Sequence, residues 1–176
     1  MDQANADASN KREREDEDDE IDEAKQKELD EAFLNACWKG SLDDVKRTLR
    51  VGASINAQNG KGNSALMFAC FREKCGRGGT LEIVKFLLSK RCSPCLMDPA
   101  GVNAIHVAAA HASAEVMKLL LSKEPHLSLS KDHHNWTPLG FVCRFRFDDD
   151  AVRIAEMLLD AGADMEQGDN DWTPLL

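Results

Sequence analysis

Four short segments of this chain can be laid under one another with their apolar and small residues in phase. They are Ala32-Phe33-Leu34-Asn35-Ala36-Cys37, Ala65-Leu66-Met67-Phe68-Ala69-Cys70, Ala104-Ile105-His106-Val107-Ala108-Ala109 and Pro138-Leu139-Gly140-Phe141-Val142-Cys143. A fifth copy begins at Thr173-Pro174-Leu175-Leu176. The residues that mark the phase, Glu31, Ser64, Asn103, Thr137 and Thr173, are spaced 33, 39, 34 and 36 apart. A second apolar stretch follows each full segment, at residues 45–49, 84–88, 116–121 and 154–159. A unit of this size cannot bury its own apolar face. Stacking of successive units makes one continuous core, and stability becomes roughly a sum over neighbours.

Each unit reads as two helices. Thr137-Pro138 is an N-cap followed by proline at the first helical position, where the missing N–H costs nothing. Small residues at Ala36, Ala69, Ala108 and Ala109 allow close approach between neighbouring first helices. Ser41, Thr80 and Ser113 are polar caps ahead of the second helices, and Ser41-Leu42-Asp43-Asp44 resembles a capping box. Gly52 and Gly162 stand where a left-handed residue ends the second helix. Helices are expected at 32–39, 42–50, 65–72, 81–89, 104–111, 114–122, 138–144 and 151–160.

The pattern resembles the ankyrin repeat, whose period is 33 and whose signature is T-P-L-H-x-A. The Ala-Ala pairs, the V-x-x-L-L second helices and the closing turns Gly52-Ala53-Ser54-Ile55-Asn56 and Gly162-Ala163-Asp164-Met165 agree with it. The resemblance implies an all-α solenoid of four helix-turn-helix repeats with short hairpin tips and a truncated fifth repeat. The repeats fall at about 29–60, 61–99, 100–133 and 134–169, with a partial unit at 170–176, inside a domain of residues 28–176. Repeats two and four carry insertions between their helices, at 72–79 and 144–150. In repeat three, Glu124-Pro125-His126 replaces the Gly-Ala turn. A stack ending at Leu176 would leave the apolar side of repeat four bare. The expectation is therefore a fragment, a truncated gene product, or an end covered by a partner, and a monomer unless that end self-associates.

The net charge of −9 belongs to one segment. Residues 1–31 hold 14 acidic and 5 basic residues, whereas residues 32–176 balance at 17 of each. From Glu13 to Glu23, nine of eleven positions are carboxylates. Such a block repels itself and buries little, so residues 1–27 are expected to form a solvated, disordered tail. The uncharged stretch at 104–114 is too short to span a membrane, and the acidic start does not resemble a secretory leader. These features point to a cytoplasmic or nuclear protein with no membrane and no nucleic-acid partner.

Chemistry finds no foothold. Cys70, Cys75, Cys92 and Cys95 superficially resemble zinc spacing, but Cys37, Cys70 and Cys143 share one repeat position, that of a small buried hydrophobe, and Cys92 stands where Ala53 stands. His106 occupies the family's signature histidine position, which the resemblance ties to neighbouring loop backbone. His106 and His111 lie roughly 140° apart around a helix and cannot share a metal. No phosphate-cradling loop or nucleophilic triad stands out. No catalytic, cofactor or metal residue is assigned.

Recognition of a protein partner remains, through hairpin tips and the exposed face of the first helices. Candidate contacts at the tips are Lys61, Asn63, His133, His134, Trp136 and Trp172, the two tryptophans each preceding Thr-Pro-Leu. The insertion in repeat four adds Arg144, Phe145 and Arg146, a basic edge that the acidic tail could also mask. The leading function is a non-catalytic scaffold or adaptor. The alternative is a regulatory module cut from a larger channel, enzyme or ubiquitin-ligase subunit.

Overall fold

The structure, a computed structural model, describes residues 22–72 and 80–165. The tail before residue 22, the insertion residues Lys74, Cys75 and Arg77, and the fifth repeat with Trp172 lie outside the described residues. Helix α1 runs through 22–39. It is followed by α2 (Leu42–Val51), α3 (Ala65–Arg72), α4 (Thr80–Ser89), α5 (Ala104–His111), α6 (Ala114–Lys123), α7 (Pro138–Phe145) and α8 (Asp150–Asp160), with a 3₁₀ turn at Pro125–Leu129. No strand occurs among the described residues; the first tip has one antiparallel bridge, Gln58 to Ser64, and the Asp98 and Asp132 N–H groups close the next two tips onto the Val102 and Trp136 carbonyls. The chain is an all-α solenoid of paired helices.

Bounds agree with the sequence reading to within one residue for α2 to α8 and disagree for α1. That helix includes at least residues 22–31 beyond the expected start, so residues 22–27 are helix and not tail. Ala24 to Leu29 are strong helix formers apart from packing. Tertiary anchors add to this: the Gln26 amide donates to the Gly52 carbonyl at 3.1 Å, and Asp30 accepts from the Ser54 N–H at 2.7 Å.

Within each repeat the two helices pack together, α3 on α4, α5 on α6 and α7 on α8. Between repeats α3 packs on α5, α5 on α7, α2 on α4, α4 on α6 and α6 on α8. The core runs through the stack without a break, from Phe33 and Val45 through Leu66, Ile83, Leu87, Ile105, Met117 and Leu120 to Ile154 and Leu158. The alanines at 36, 69, 108 and 109 are all buried, which is why first helices can approach so closely.

Local chemistry repeats with the fold. Ser41, Asn103, Ser113 and Thr137 each accept an N–H from the first turn of the helix they precede. Thr80 departs from this: it is the first residue of α4 itself and is buried. Gly52 and Gly162 adopt φ of +118° and +91° at the ends of α2 and α8, and Arg91 takes the equivalent place after α4 at +61°. The 3₁₀ turn at Pro125–Leu129 does the work of the missing Gly-Ala turn. Its buried Ser128 donates to the Ala161 carbonyl at 2.8 Å, stitching repeat three to repeat four.

Two cysteine and arginine expectations fail. Cys37 and Cys70 are fully buried, but their equivalent Cys143 is exposed. Cys143 lies in the last turn of α7 beside the exposed Arg144 and Phe145. Arg146, expected as an exposed contact, is buried at 8% accessibility.

Candidate functional site

Each hairpin tip is built by one side-chain oxygen. Asn59 Oδ1 accepts the N–H groups of Lys61 and Asn63 at 3.0 and 2.9 Å. Asp98 Oδ1 accepts from Ala100 and Val102, both at 2.9 Å, and Asp132 Oδ1 from His134 and Trp136 at 2.9 and 2.8 Å. Aspartate and asparagine are the residues that bond their own backbone two positions on. Gly62, Gly101 and Asn135 follow at the position needing positive φ, with values of +77°, +80° and +62°. Tip is tied to tip: Gln58 Nε2 donates to the Met97 carbonyl at 2.9 Å and the His133 N–H to the Ala100 carbonyl at 2.8 Å.

His106 fixes the tip of repeat four from beneath. The ring is buried, Nδ1 accepts the Asn103 N–H at 3.3 Å, and Nε2–H donates to the Trp136 carbonyl at 3.2 Å. Burial holds the imidazole pKa below its ordinary value, with the hydrogen bond to that carbonyl opposing. His106 is a structural bolt, as its position in the repeat implied.

Of the candidate contact residues, Lys61, His133 and His134 are exposed at the tips, and Asn63 is half-buried. Trp136 is half-buried too. Its ring lies over Gly140, where an added Cβ would meet Cε3 at 3.2 Å, and the Arg144 guanidinium sits 5.1 Å from its centroid. Arg144 also stacks on Phe145 at 5.5 Å. Trp136, Arg144 and Phe145 thus form one cluster, whereas Arg146 turns away from it. Arg146 is clamped by Asp148 at 3.0 and 2.8 Å and donates to the Ala112 carbonyl, so it braces the insertion instead of facing a partner. This clamp leaves Phe147 at 92% accessibility. The expected basic edge is largely spent on internal contacts.

Apart from Phe145, the sequence reading passed over the residues that give the first-helix face its character. Trp38 on α1 meets Phe68 edge-on and stacks on Phe71 of α3, each at 5.7 Å, and Phe71 meets His111 of α5 at 4.8 Å. On α7, Phe141 lies 5.0 Å from His106 and 5.5 Å from Phe145. Trp38, Phe71 and Phe145 remain 38–45% accessible. A groove of about 360 Å³ opens beside Trp38, lined by Glu31, Leu34, Asn35, Phe68 and the tip residue Asn59. The stretches 32–39, 65–71, 104–111 and 138–145 carry only Lys39 and Arg144 as formal charges, and Glu31 adds one carboxylate to the groove. The repeat register itself carried the signal. Trp38 and Phe71 are equivalent positions, as are Phe68, Val107 and Phe141. Aromatic, charge-poor surface of this kind is what the buried centre of a protein interface is made of.

Among the described residues no group of three or more His, Cys, Asp or Glu could hold a metal ion, and no helix is long and apolar enough to cross a membrane. Burial pushes the thiols of Cys37 and Cys92 up to about 12.

The family model for ankyrin repeats in three copies matches residues 73–171. A probable E3 ubiquitin-protein ligase, XBOS33 of Oryza sativa subsp. japonica, is 39% identical over 88 residues, 49% of this chain and 16% of that protein. Protein phosphatase 1 regulatory subunit 27 of Homo sapiens is 31% identical over 96 residues, 54% of this chain and 59% of that protein. Protein fem-1 homolog A-like of Mus musculus is 32% identical over 94 residues, 53% and 13% of the respective chains. The matches thus span less than two thirds of each of these relatives.

Proposed function

The chain belongs to the ankyrin-repeat family, and from that premise we propose that it is a non-catalytic scaffold or adaptor for a protein partner. Ankyrin repeats generally mediate protein–protein interaction. The observation that carries the reading here is the aromatic surface of α1, α3 and α7, poor in charge from residue 32 onward, with Trp38, Phe71 and Phe145 partly open to solvent. The partner segment lies along this face as an extended or helical peptide. Its apolar side chains meet Trp38, Phe68 and Phe71, and its polar groups meet the tips at Lys61, Asn63, His133 and His134. Trp136, with Arg144 and Phe145, contacts the other end. The repeats follow an acidic segment, and the protein acts in the cytoplasm or nucleus.

A second reading makes the repeats a recognition module within a larger regulatory or ligase protein. The partial coverage of the ligase and phosphatase-subunit relatives favours it. Both readings place the contact on the same face. A displayed random-peptide library selected on the full chain tests that placement. Selected peptides should weaken at least tenfold on Trp38→Ala or Phe71→Ala and hold their affinity on Lys118→Ala. Affinity indifferent to both aromatic changes removes the reading.

A further inference from the structure

The second-helix side of the stack carries a different surface. Lys46 and Arg50 of α2 and Lys90 after α4 rim an open groove of about 470 Å³ whose floor is Leu49, Ile55 and Phe86. The Lys46 and Lys90 ammonium groups sit 5.7 and 5.9 Å from the centroid of the Phe86 ring. Among the described residues no carboxylate lines the groove. Two of the acids on α2 and α4 are engaged elsewhere, Asp44 with Arg47 at 2.7 Å and Glu82 with Lys85 at 2.8 Å, which leaves Asp43 one turn before Lys46. Among the described residues, Lys46, Arg50 and Lys90 have no salt-bridge partner.

The first helix leads toward this groove. Gln26 bonds the carbonyl of Gly52, which lies between Arg50 and the groove residue Ala53. Residue 22 is about 6 Å further along a helix from residue 26, at 1.5 Å per residue. The preceding segment, residues 13–20, has seven carboxylates and one arginine. At about 3.3 Å per extended residue it spans roughly 26 Å, enough to turn back from the end of α1 onto α2 and α4.

We propose that the acidic segment 13–20 of this same chain docks in the Lys46–Arg50–Lys90 groove. Charge complementarity selects the occupant, and attachment through α1 supplies a high effective concentration that a free acidic peptide lacks. Single exposed pairs contribute little, so the interaction rests on several carboxylates meeting three cations and is screened by salt. The basic edge around Arg144 and Arg146 is the poorer receptor, because Arg146 is buried against Asp148 and Arg144 lies on Trp136 and Phe145. Docking on the second-helix side leaves the aromatic first-helix face open.

Arg50 and Lys90 also stand near helix C-terminal ends, where a cation is favourable without any tail. The test therefore reads contact and not stability. Amide spectra of the ¹⁵N-labelled full chain are compared with those of a full chain whose tail is neutralised by Glu15→Gln, Asp16→Asn, Glu17→Gln, Asp18→Asn, Asp19→Asn and Glu20→Gln. At low salt, the amides of residues 46–53 and 86–90 should differ between the two. The difference should collapse at 0.5 M NaCl and in a Lys46→Gln, Lys90→Gln background. Three results overturn the proposal: identical groove amides, differences centred on residues 144–147, or groove shifts that fade on dilution and so come from a second copy.

Discussion

Nε2 of His106 lies 3.2 Å from the carbonyl oxygen of Trp136, and this one bond joins the core of repeat three to the tip of repeat four. Its pH dependence follows from burial. The unfolded chain takes up a proton on this residue as pH falls through its ordinary 6.5, while the folded imidazole, held lower, stays neutral. The unfolded state then binds more protons, so stability falls with pH below about 6.5 and is level above it on this residue's account. Urea midpoints measured between pH 8 and pH 5 should show the decline. His106→Gln should be less stable at pH 8, by about 1–3 kcal/mol for the polar groups left without partners, yet flatter across that range. An unchanged pH slope in the variant would assign the decline to other groups.

Arg91 occupies the left-handed position that Gly52 and Gly162 fill elsewhere, with φ of +61°. A non-glycine residue there costs about 1–2 kcal/mol, partly offset because glycine loses more freedom on folding. Arg91→Gly should raise stability by about 0.5–1 kcal/mol, read as a higher melting temperature. Gly52→Ala should do the reverse, although no atom crowds a Cβ at that site.

The clamp on the repeat-four insertion predicts unequal partners. Arg146→Ala strips the Ala112 carbonyl of its donor in a buried place, and about 1–3 kcal/mol should be lost. Asp148 is exposed, so Asp148→Asn should cost less than about 1 kcal/mol. Arg146 donates two hydrogen bonds to this carboxylate and holds its pKa below the usual value. The small contribution of the pair is therefore present at neutral pH and is lost as pH falls below the ordinary aspartate range. Equal losses from both substitutions would contradict the placement of Arg146 in the core.

Thiol reactivity should sort the described cysteines by burial. Alkylation followed by mass spectrometry should label Cys95 first and Cys143 next, whose thiol pKa partial desolvation raises. Cys37, Cys70 and Cys92 should be labelled only on unfolding. Fast native labelling of Cys37 or Cys92 would contradict their depth in the stack.

Much of the fold was legible because period and capping carry it. Thr137-Pro138, Ser41 and Gly52 announce helix ends locally, and a repeating apolar pattern multiplies the signal. The start of α1 was half legible: the stretch from Ala24 is helix-friendly, but the anchors that hold it, Gln26 to Gly52 and Asp30 to Ser54, are tertiary contacts across 26 and 24 residues. Arg146 was misplaced because its sequence neighbours look like a solvated loop, and only the fold brings the Ala112 carbonyl to it. The tip residues Lys61, His133 and His134 were found where expected. Trp38 and Phe71 were missed as contacts although their shared repeat position was readable, since each alone resembles a helix residue destined for the core.

Site-specific photo-crosslinking in cells tests the binding face most directly. A benzoylphenylalanine is placed at Phe71 or Phe145 of the full chain, and at Lys118 on the second-helix side as the comparison. Protein adducts should form from positions 71 and 145, vanish when Trp38→Ala is added, and be absent from position 118. Adducts from position 118 alone, or adducts from positions 71 and 145 that survive Trp38→Ala, would contradict the assignment of partner binding to the aromatic first-helix face.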